Sequence, residues 1–261
     1  MSFKISDNLI GFDKELSFFL KLYKQKKMPN TILFQGLQGI GKYTFVLHLI
    51  NLITKSTNND TNLEYRLMND QDVLILKKNE NNSEFKFEEI KKIIDFCKYK
   101  SLNTKSKFII IKSTNFLNKS SVNALLKLTE EVKENVYFLF TSDFLSNNSK
   151  TLESRFFIKK LFLKKKFYNQ ILLNFFNENN IDTSRIEENL HYTPGDSIRK
   201  YFFNLDGNLE HLKKNNVELF YKIISEKIIN KFKNEHLEIL RKTKVNLIFK
   251  NDISRIIEKL S

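Results

Sequence analysis

Cysteine and tryptophan are nearly absent from the sequence, and long hydrophobic runs are absent altogether. Cys97 is the single cysteine among 261 residues, and there is no tryptophan. One cysteine excludes a disulfide framework within the chain and a zinc site built from cysteines. No stretch approaches the roughly 18 apolar residues of a membrane-spanning helix, and the first residues lack the pattern of a secretory signal. These absences predict a cytoplasmic protein with no zinc and no membrane contact.

Acidic residues are in the minority, which makes the chain strongly basic. Lysine and arginine number 44 against 30 aspartates and glutamates, for a formal net charge of +14 at pH 7. Such a charge attracts phosphate-rich partners over long distances and speeds their encounter. The sequence is also rich in Lys, Asn, Ile and Phe, a usage typical of an AT-rich genome. The charge by itself therefore leaves open whether the chain contacts DNA.

Apolar runs of strand length alternate with helical patterns up to Phe157, which predicts an α/β domain with a mostly parallel sheet. The predicted strands are Thr31–Gln35, Val73–Leu76, Phe108–Ile111 and Val136–Thr141. The predicted helices between them are Tyr43–Thr54 and Glu88–Tyr99. In the second helix the i, i+3, i+4, i+7 spacing places Ile90, Ile93, Ile94 and Cys97 on one face. Cys97 is therefore predicted to be a buried core residue.

The strand signal fades after Phe157, where a run of lysines begins and the pattern becomes helical. The predicted helices are Phe167–Asn177, Ser184–Leu190, Asp196–Phe203, Val217–Phe232 and Asp252–Leu260. Asn79–Ser83, within the first part of the chain, is predicted to be a polar loop. The change in composition predicts a domain boundary near residue 157 and a helical remainder.

A glycine-rich segment, Gly36-Leu37-Gln38-Gly39-Ile40-Gly41-Lys42, follows the first predicted strand and opens the first predicted helix. This context is typical of a phosphate-binding loop. Glycines let the backbone turn sharply, and the helix N-terminus and the lysine attract phosphate. The candidate nucleotide-binding residues of this vestigial loop are Gly36, Gly39, Gly41, Lys42 and Thr44.

The residues that would hold magnesium beside such a loop are missing. The position after Lys42 normally carries the Ser or Thr whose hydroxyl binds Mg²⁺, but here it is Tyr43, with Thr44 one position late. The strand that ends at Ile111 continues into Lys112 rather than into the acidic residues that hold the metal and orient the attacking water. A pocket with a lysine and no carboxylate would repel Mg²⁺. We therefore expect no ATP hydrolysis, no metal site, and at most weak binding of ATP or ADP without magnesium.

Further motifs accompany the phosphate loop in a distinctive order. They are Asn8–Gly11, Asp72 before a strand, the strand at Lys107–Ile111, Ser121–Glu131, and Ser154-Arg155. In this order and composition the chain resembles the AAA+ clamp-loader subunits of bacterial DNA polymerase III, in particular the delta-prime subunits, which are relatives of gamma/tau. The resemblance covers roughly residues 5–205.

The most specific part of the resemblance is Asn123–Glu131 followed by Ser154-Arg155. These segments are similar to the family's "NALLKxLEEP" helix and its "SRC" motif. Three features depart from the family pattern: no cysteine zinc module follows the loop helix, Val132 replaces a proline, and Phe156 replaces the cysteine of "SRC".

The resemblance implies three domains and a role. The domains are an AAA+ P-loop-like α/β domain over residues 1–157, a small helical lid over residues 158–203, and a shortened helical, collar-like region over residues 204–261. The implied role is that of a non-catalytic stator, which works with gamma/tau and delta subunits to load the sliding clamp onto primer–template DNA. Arg155 would then be an arginine finger acting on the nucleotide of a neighbouring subunit, and otherwise the partner in a surface ion pair.

Two alternatives remain open at the level of sequence. The first is an active gamma/tau-type ATPase, against which Tyr43 and Lys112 argue. The second is a nucleic-acid-binding adaptor on an inactive AAA+ shell, which would use the charge of +14. That adaptor would bind DNA as an isolated chain and in a salt-sensitive way, whereas a stator would do so chiefly within its complex.

Overall fold

The computed structural model describes residues 8–55, 62–77, 85, 87–102, 106–114, 117–131, 135–143, 153–181 and 192–206. The chain divides into two compact units, Met1–Ile198 and Arg199–Ser261. Of the second unit, the structure describes residues 199–206. The predicted helices Ser184–Leu190, Val217–Phe232 and Asp252–Leu260 and the predicted loop Asn79–Ser83 lie outside the described residues.

Strands and helices alternate through the first unit. The strands are β1 (Thr31–Gly36), β2 (Val73–Leu76), β3 (Lys107–Ile111), β4 (Val136–Asp143) and β5 (Phe157–Lys160). The helices are α1 (Asp13–Lys24), α2 (Lys42–Thr54), α3 (Leu63–Met68), α4 (Phe87–Lys98), α5 (Lys119–Glu131), α6 (Tyr168–Glu178) and α7 (Pro194–Asp206). A 3-10 turn at Lys165–Phe167 precedes α6.

The five strands form one parallel sheet in the order β2-β3-β4-β1-β5. Strand β3 is buried along its whole length and β4 up to its last residue, as expected of a parallel sheet covered on both faces. The register pairs the last residue of β1, Gly36, with the last residue of β4, Asp143. Parallel strands end at the same edge, so the last residues of β1, β3 and β4 lie close together there. This edge carries the glycine-rich loop.

Two apolar clusters pack against the sheet. Consecutive residues of β1 belong to different clusters, Leu33 to one and Phe34 to the other, because successive side chains of a strand point to opposite faces. Phe34, Phe19 of α1 and Phe45 of α2 are fully buried and meet edge to face, with ring centroids 5.2–6.3 Å apart. Each buried phenylalanine contributes about 1.5–3 kcal/mol relative to an exposed one. The aromatic cluster thus fixes α2, and with it the loop that leads into α2.

The sequence-based strands are confirmed to within two residues at each end. The structure adds α1, α3 and β5, which the sequence pattern did not predict, and β5 carries the sheet to Lys160, past the predicted boundary at residue 157. The division into domains at residues 157 and 203 stays a prediction.

The burial predicted for α4 is only partly correct. Ile90 and Ile93 are buried, but Ile94 is 36% exposed. Cys97 was predicted to be a core residue and is instead half-buried at the edge of a cluster. Ile94 and Cys97 lie in the second half of the helix, where the apolar face is only partly covered. Burial nevertheless raises the pKa of the Cys97 thiol, with the nearby Lys107 opposing the shift.

Among the helices in the part of the chain that the structure describes, none is both long enough and apolar enough to span a bilayer.

Candidate phosphate-loop site

The glycine-rich loop joins β1 to α2, and its shape depends on three glycines. At Gly36, a Cβ atom would lie 2.7 Å from Ile40 Cδ1 and 2.7 Å from the Leu161 carbonyl oxygen, closer than side chains can approach. Gly39 and Gly41 have φ angles of +79° and +92°, in the left-handed region that favours glycine. The sequence prediction of a sharp loop between strand and helix is therefore confirmed.

Lys42 is the first residue of α2, and its side chain folds back onto the loop. Its Nζ donates to the carbonyl oxygens of Gly36 and Leu37, at 3.0 and 2.8 Å. The same atom lies 2.8 Å from Oδ1 of Asp143. The lysine side chain is only 8% exposed and that of Asp143 22%. The lysine is thus held by loop carbonyls and by a carboxylate from the end of β4.

Asp143 is the residue of the candidate site that sequence reasoning missed. The expectation of a pocket with no anionic oxygen was wrong, because this carboxylate contacts Lys42 directly. It lies neither in the loop nor after β3, where acidic residues were sought. The register that pairs Gly36 with Asp143 brings it there. A signal was available: β4 neighbours β1 in sheets of this kind, and the residue that ends β4 is acidic.

Tyr43 takes the position where a small hydroxyl residue would be expected, and its hydroxyl is engaged elsewhere. The phenol donates a hydrogen bond to Oε1 of Glu64, on α3. The other carboxylate oxygen of Glu64 accepts from Lys77 Nζ at 3.1 Å. Burial raises the pKa of Tyr43 well above its ordinary value of about 10, and the charge and hydrogen bond of Glu64 add to the rise. The hydroxyl therefore stays protonated and donates.

Lys112, directly after β3, lies over the ring of Tyr43. Its Nζ is 4.6 Å from the ring centroid, within the range of a cation–π contact. The next residue, Ser113, has a φ of +73°, and its backbone N–H donates to Thr141 Oγ1 at 3.0 Å. Thr44 lies on the first turn of α2 and is half-buried. Tyrosine and lysine thus meet at the edge where a magnesium site was judged missing.

The start of α7 covers the tip of the loop. The backbone N–H of Gly195 donates to the Gly39 carbonyl oxygen at 2.8 Å. A Cβ atom on Gly195 would lie 2.7 Å from Gly39 Cα, so the two backbones touch. The first turn of α7 is fixed by Thr193, whose Oγ1 accepts from the Asp196 backbone N–H at 3.3 Å. The close approach requires glycine on the covering side.

Arg155 is not part of these loop contacts. Its guanidinium lies 2.5 Å from Oε1 of Glu130, on α5, and both side chains are more than half exposed. Sequence reasoning expected either a finger or a surface ion pair, and the partner in the isolated chain is Glu130. Glu153 instead accepts a hydrogen bond from Gln35 of β1. Within the described residues, no group of three His, Cys, Asp or Glu side chains is arranged to hold a metal ion.

Two motif residues named from the sequence have structural environments. Asp72 is fully buried, and its carboxylate accepts from the Leu102 backbone N–H at 2.8 Å. Phe156, in place of a cysteine, is 7% exposed and packs against Phe140, with ring centroids 4.8 Å apart and the rings tilted by 30°. Both side chains hold segments that flank the sheet.

A parallel sheet ordered β2-β3-β4-β1-β5, with a glycine-rich loop between β1 and a helix that begins at Lys42, is the arrangement of an AAA+ P-loop domain. The fold and the loop together define that class. The family model described as "DNA polymerase III, delta subunit" matches residues 12–164, more than half of the chain. The chain therefore belongs to this family of clamp-loader subunits, related to gamma/tau and delta-prime.

Individual relatives agree with this family. DNA polymerase III subunit gamma of Buchnera aphidicola subsp. Schizaphis graminum is 29% identical over 208 residues, 74% of this chain and 55% of the relative. Subunit delta' of the same organism is 31% identical over 153 residues, 54% of this chain and 45% of the relative. The chain thus spans about half the length of these two relatives. Among solved structures, a DNA polymerase III gamma subunit-related protein from Thermotoga maritima aligns with this chain at 17% identity and a TM-score of 0.49. The alignment covers 93% of this chain and 77% of the Thermotoga protein.

Proposed function

We propose that this chain is the non-catalytic, delta-prime-like stator of a DNA polymerase III clamp loader. In this role it helps to load the sliding clamp onto primed DNA and supplies an arginine to a neighbouring ATPase subunit. The observation that carries the proposal is Tyr43, whose hydroxyl donates to Glu64 at the position where a magnesium nucleotide needs a small hydroxyl residue. A cytoplasmic location follows from this role.

The charges around Tyr43 do not fit a magnesium nucleotide. Mg²⁺ demands oxygen ligands in octahedral geometry, usually one or two carboxylates together with phosphate oxygens. Glu64 pairs with Lys77, and Lys112 places a cation over the Tyr43 ring. The carboxylate of Asp143 forms an ion pair with Lys42, the residue that would otherwise contact the phosphates. These arrangements support a degenerate site that binds ATP or ADP weakly at most and does not hydrolyse it.

Arg155 is suited to act on a neighbour. The ion pair with Glu130 is between side chains that are 51% and 58% exposed. Exposed ion pairs of this kind are worth about 0–1 kcal/mol, so the guanidinium leaves at little cost. Arginine is always charged and contacts phosphate in a bidentate way, which suits it to stabilise charge that develops on a γ-phosphate. The direct partners in this proposal are gamma/tau and delta subunits, with primer–template DNA and the clamp contacted within the complex.

A loader reconstituted with the organism's own gamma/tau and delta subunits tests the arginine. An arginine finger contributes about 10³ to 10⁵ in the turnover of the site that it serves. Arg155→Ala should therefore remove the contribution of the facing site to the DNA-stimulated ATPase rate, while size-exclusion chromatography shows an intact complex. Glu130→Gln is the matched control, because it breaks the same ion pair and keeps the guanidinium. Equal rates for Arg155→Ala and the native complex would exclude the finger.

The gamma-type relative favours an active ATPase as the second candidate function, since it matches 74% of the chain against 54% for the delta'-type relative. The isolated chain separates the two candidates. A stator releases no phosphate from ATP and Mg²⁺ above background. Phosphate release that Lys42→Ala abolishes would establish the ATPase and overturn the stator.

A further inference from the structure

The ammonium group of Lys42 has its hydrogen-bond donors directed at protein oxygens. A lysine ammonium carries three donors and no acceptor. Three oxygens lie within 3.0 Å of Nζ: the carbonyls of Gly36 and Leu37 and the carboxylate of Asp143. An incoming phosphate that binds Lys42 therefore has to displace one of these three oxygens.

Among the three acceptor oxygens around Lys42 Nζ, the carboxylate of Asp143 is the one best suited to compete with a phosphate. The two carbonyls belong to the loop itself, and Gly36 is fixed by its place in β1. The carboxylate is the only charged group of the three, and charge-assisted hydrogen bonds are about twice as strong as neutral ones. It also carries the same sign of charge as a phosphate, so it both competes for Lys42 and repels the ligand. Its place is set by the sheet, because the register pairs Gly36 with Asp143.

The loop is closed on a second side by backbone. The contact between the Gly195 N–H and the Gly39 carbonyl oxygen lies within the compact unit Met1–Ile198. The approach is so close that even a methyl group on Gly195 would meet the Gly39 backbone at 2.7 Å. Both closures use groups of the chain itself: the Asp143 carboxylate at Lys42 and the Gly195 N–H at Gly39.

We propose that Asp143 is the residue that excludes phosphate from this loop. Its carboxylate pairs with Lys42 in the place that a bound phosphate would take. Removing its charge opens the loop to a magnesium-free polyphosphate, such as pyrophosphate or the triphosphate of ATP. The inference rests on the proposed function in one respect: the loop is not a working magnesium-nucleotide site. It goes beyond that function by naming the group that keeps the loop closed.

Titration calorimetry of the full chain in the presence of EDTA tests this exclusion, with pyrophosphate and, separately, ATP as titrants. Asp143→Asn should bind pyrophosphate at least about tenfold more tightly than the native chain, a difference of about 1.4 kcal/mol. Adding Lys42→Ala to that variant should abolish the gain, since the lysine is the group set free. Asp95→Asn is the matched control, because it removes an aspartate from an exposed pair with Lys98, with an N–O distance of 2.7 Å.

Each result has a defined meaning. The inference is overturned if the Asp143→Asn variant binds pyrophosphate no more tightly than the native chain. It is also overturned if the tighter binding persists after Lys42 is replaced by alanine. Asp143→Ser removes the same charge and takes the place of the asparagine variant if that variant does not fold. Hydrolysis of ATP by the native chain with Mg²⁺ would instead contradict the proposed function. The two failures are therefore distinguishable.

Discussion

Replacing Tyr43 by phenylalanine removes one hydroxyl and tests whether that group is a structural donor. At pH 8 the phenol is neutral and donates to the Glu64 carboxylate. A hydrogen bond to a charged group contributes about 1.5–3 kcal/mol. Glu64 keeps its pairing with Lys77 in the variant, so we expect the lower end of this range. The free energy of unfolding should therefore fall by about 1.5 kcal/mol.

The difference in the free energy of unfolding between the native chain and the Tyr43→Phe variant should disappear near pH 11. The folded-state pKa of Tyr43 is raised by burial and by Glu64, whereas in the unfolded chain the phenol ionises at about pH 10. Above that pH the unfolded chain has lost a proton that the folded state retains. The contribution of Tyr43 therefore lowers the free energy of unfolding of the native chain by about 1.4 kcal/mol per pH unit. The phenylalanine variant has no such dependence. Near pH 11 the two proteins should be about equally stable.

Urea unfolding followed by circular dichroism at pH 8, 9, 10 and 11 measures this convergence. Tyr65→Phe is the control, because Tyr65 lies beside Glu64 on α3 and is 46% exposed. Its stability should track that of the native chain at pH 8. A difference in the free energy of unfolding between Tyr43→Phe and the native chain that stays constant from pH 8 to pH 11 would refute the raised pKa of Tyr43. No loss at pH 8 would refute the hydrogen bond between Tyr43 and Glu64, and with it the observation on which the proposed function depends.

Two further substitutions test contacts around the loop and the arginine. Gly195→Ala should lower the free energy of unfolding by about 1–3 kcal/mol, since the new methyl group would lie 2.7 Å from Gly39 Cα and force the two backbones apart; an unchanged melting temperature would show that α7 does not cover the loop. Phe156→Ala should cost about 3–5 kcal/mol, because the ring is 7% exposed and packs on Phe140. Phe157→Ala, at a position that is 41% exposed, should cost less, and an equal loss for both would contradict this packing.

The features that sequence predicted well are those encoded by neighbouring residues. Strands such as Phe108–Ile111 are continuous apolar runs, because a parallel sheet buries both of their faces. The loop is encoded by the spacing of its glycines and by the lysine that follows them. Helix α1 was missed although its sequence is amphipathic, and β5 was missed because its four residues are half polar and lie at the sheet edge.

The contacts that decide the chemistry of the loop join residues far apart in the chain. Asp143 follows Lys42 by 101 positions, and Gly195 meets Gly39 only once α7 is in place. Glu64 became a partner of Tyr43 through α3, a six-residue helix with little periodic signal. Strand order and register are needed before any of these pairs can be inferred. The missing Ser or Thr at position 43 was readable from the sequence, but the contacts of the tyrosine that replaces it were not.

A lysine in a phosphate loop is usually taken as evidence for a nucleotide, and in this chain it has another use. Lys42 joins the end of β1, through Gly36, and the end of β4, through Asp143, while α2 begins at the same residue. Removing one partner from a buried ion pair leaves an uncompensated charge, at a cost of about 3–5 kcal/mol. The partial exposure of Asp143 reduces that figure without abolishing it. These contacts give Lys42 a role in folding that needs no nucleotide. Under the proposed stator function, the chain acts through what it presents to its neighbours.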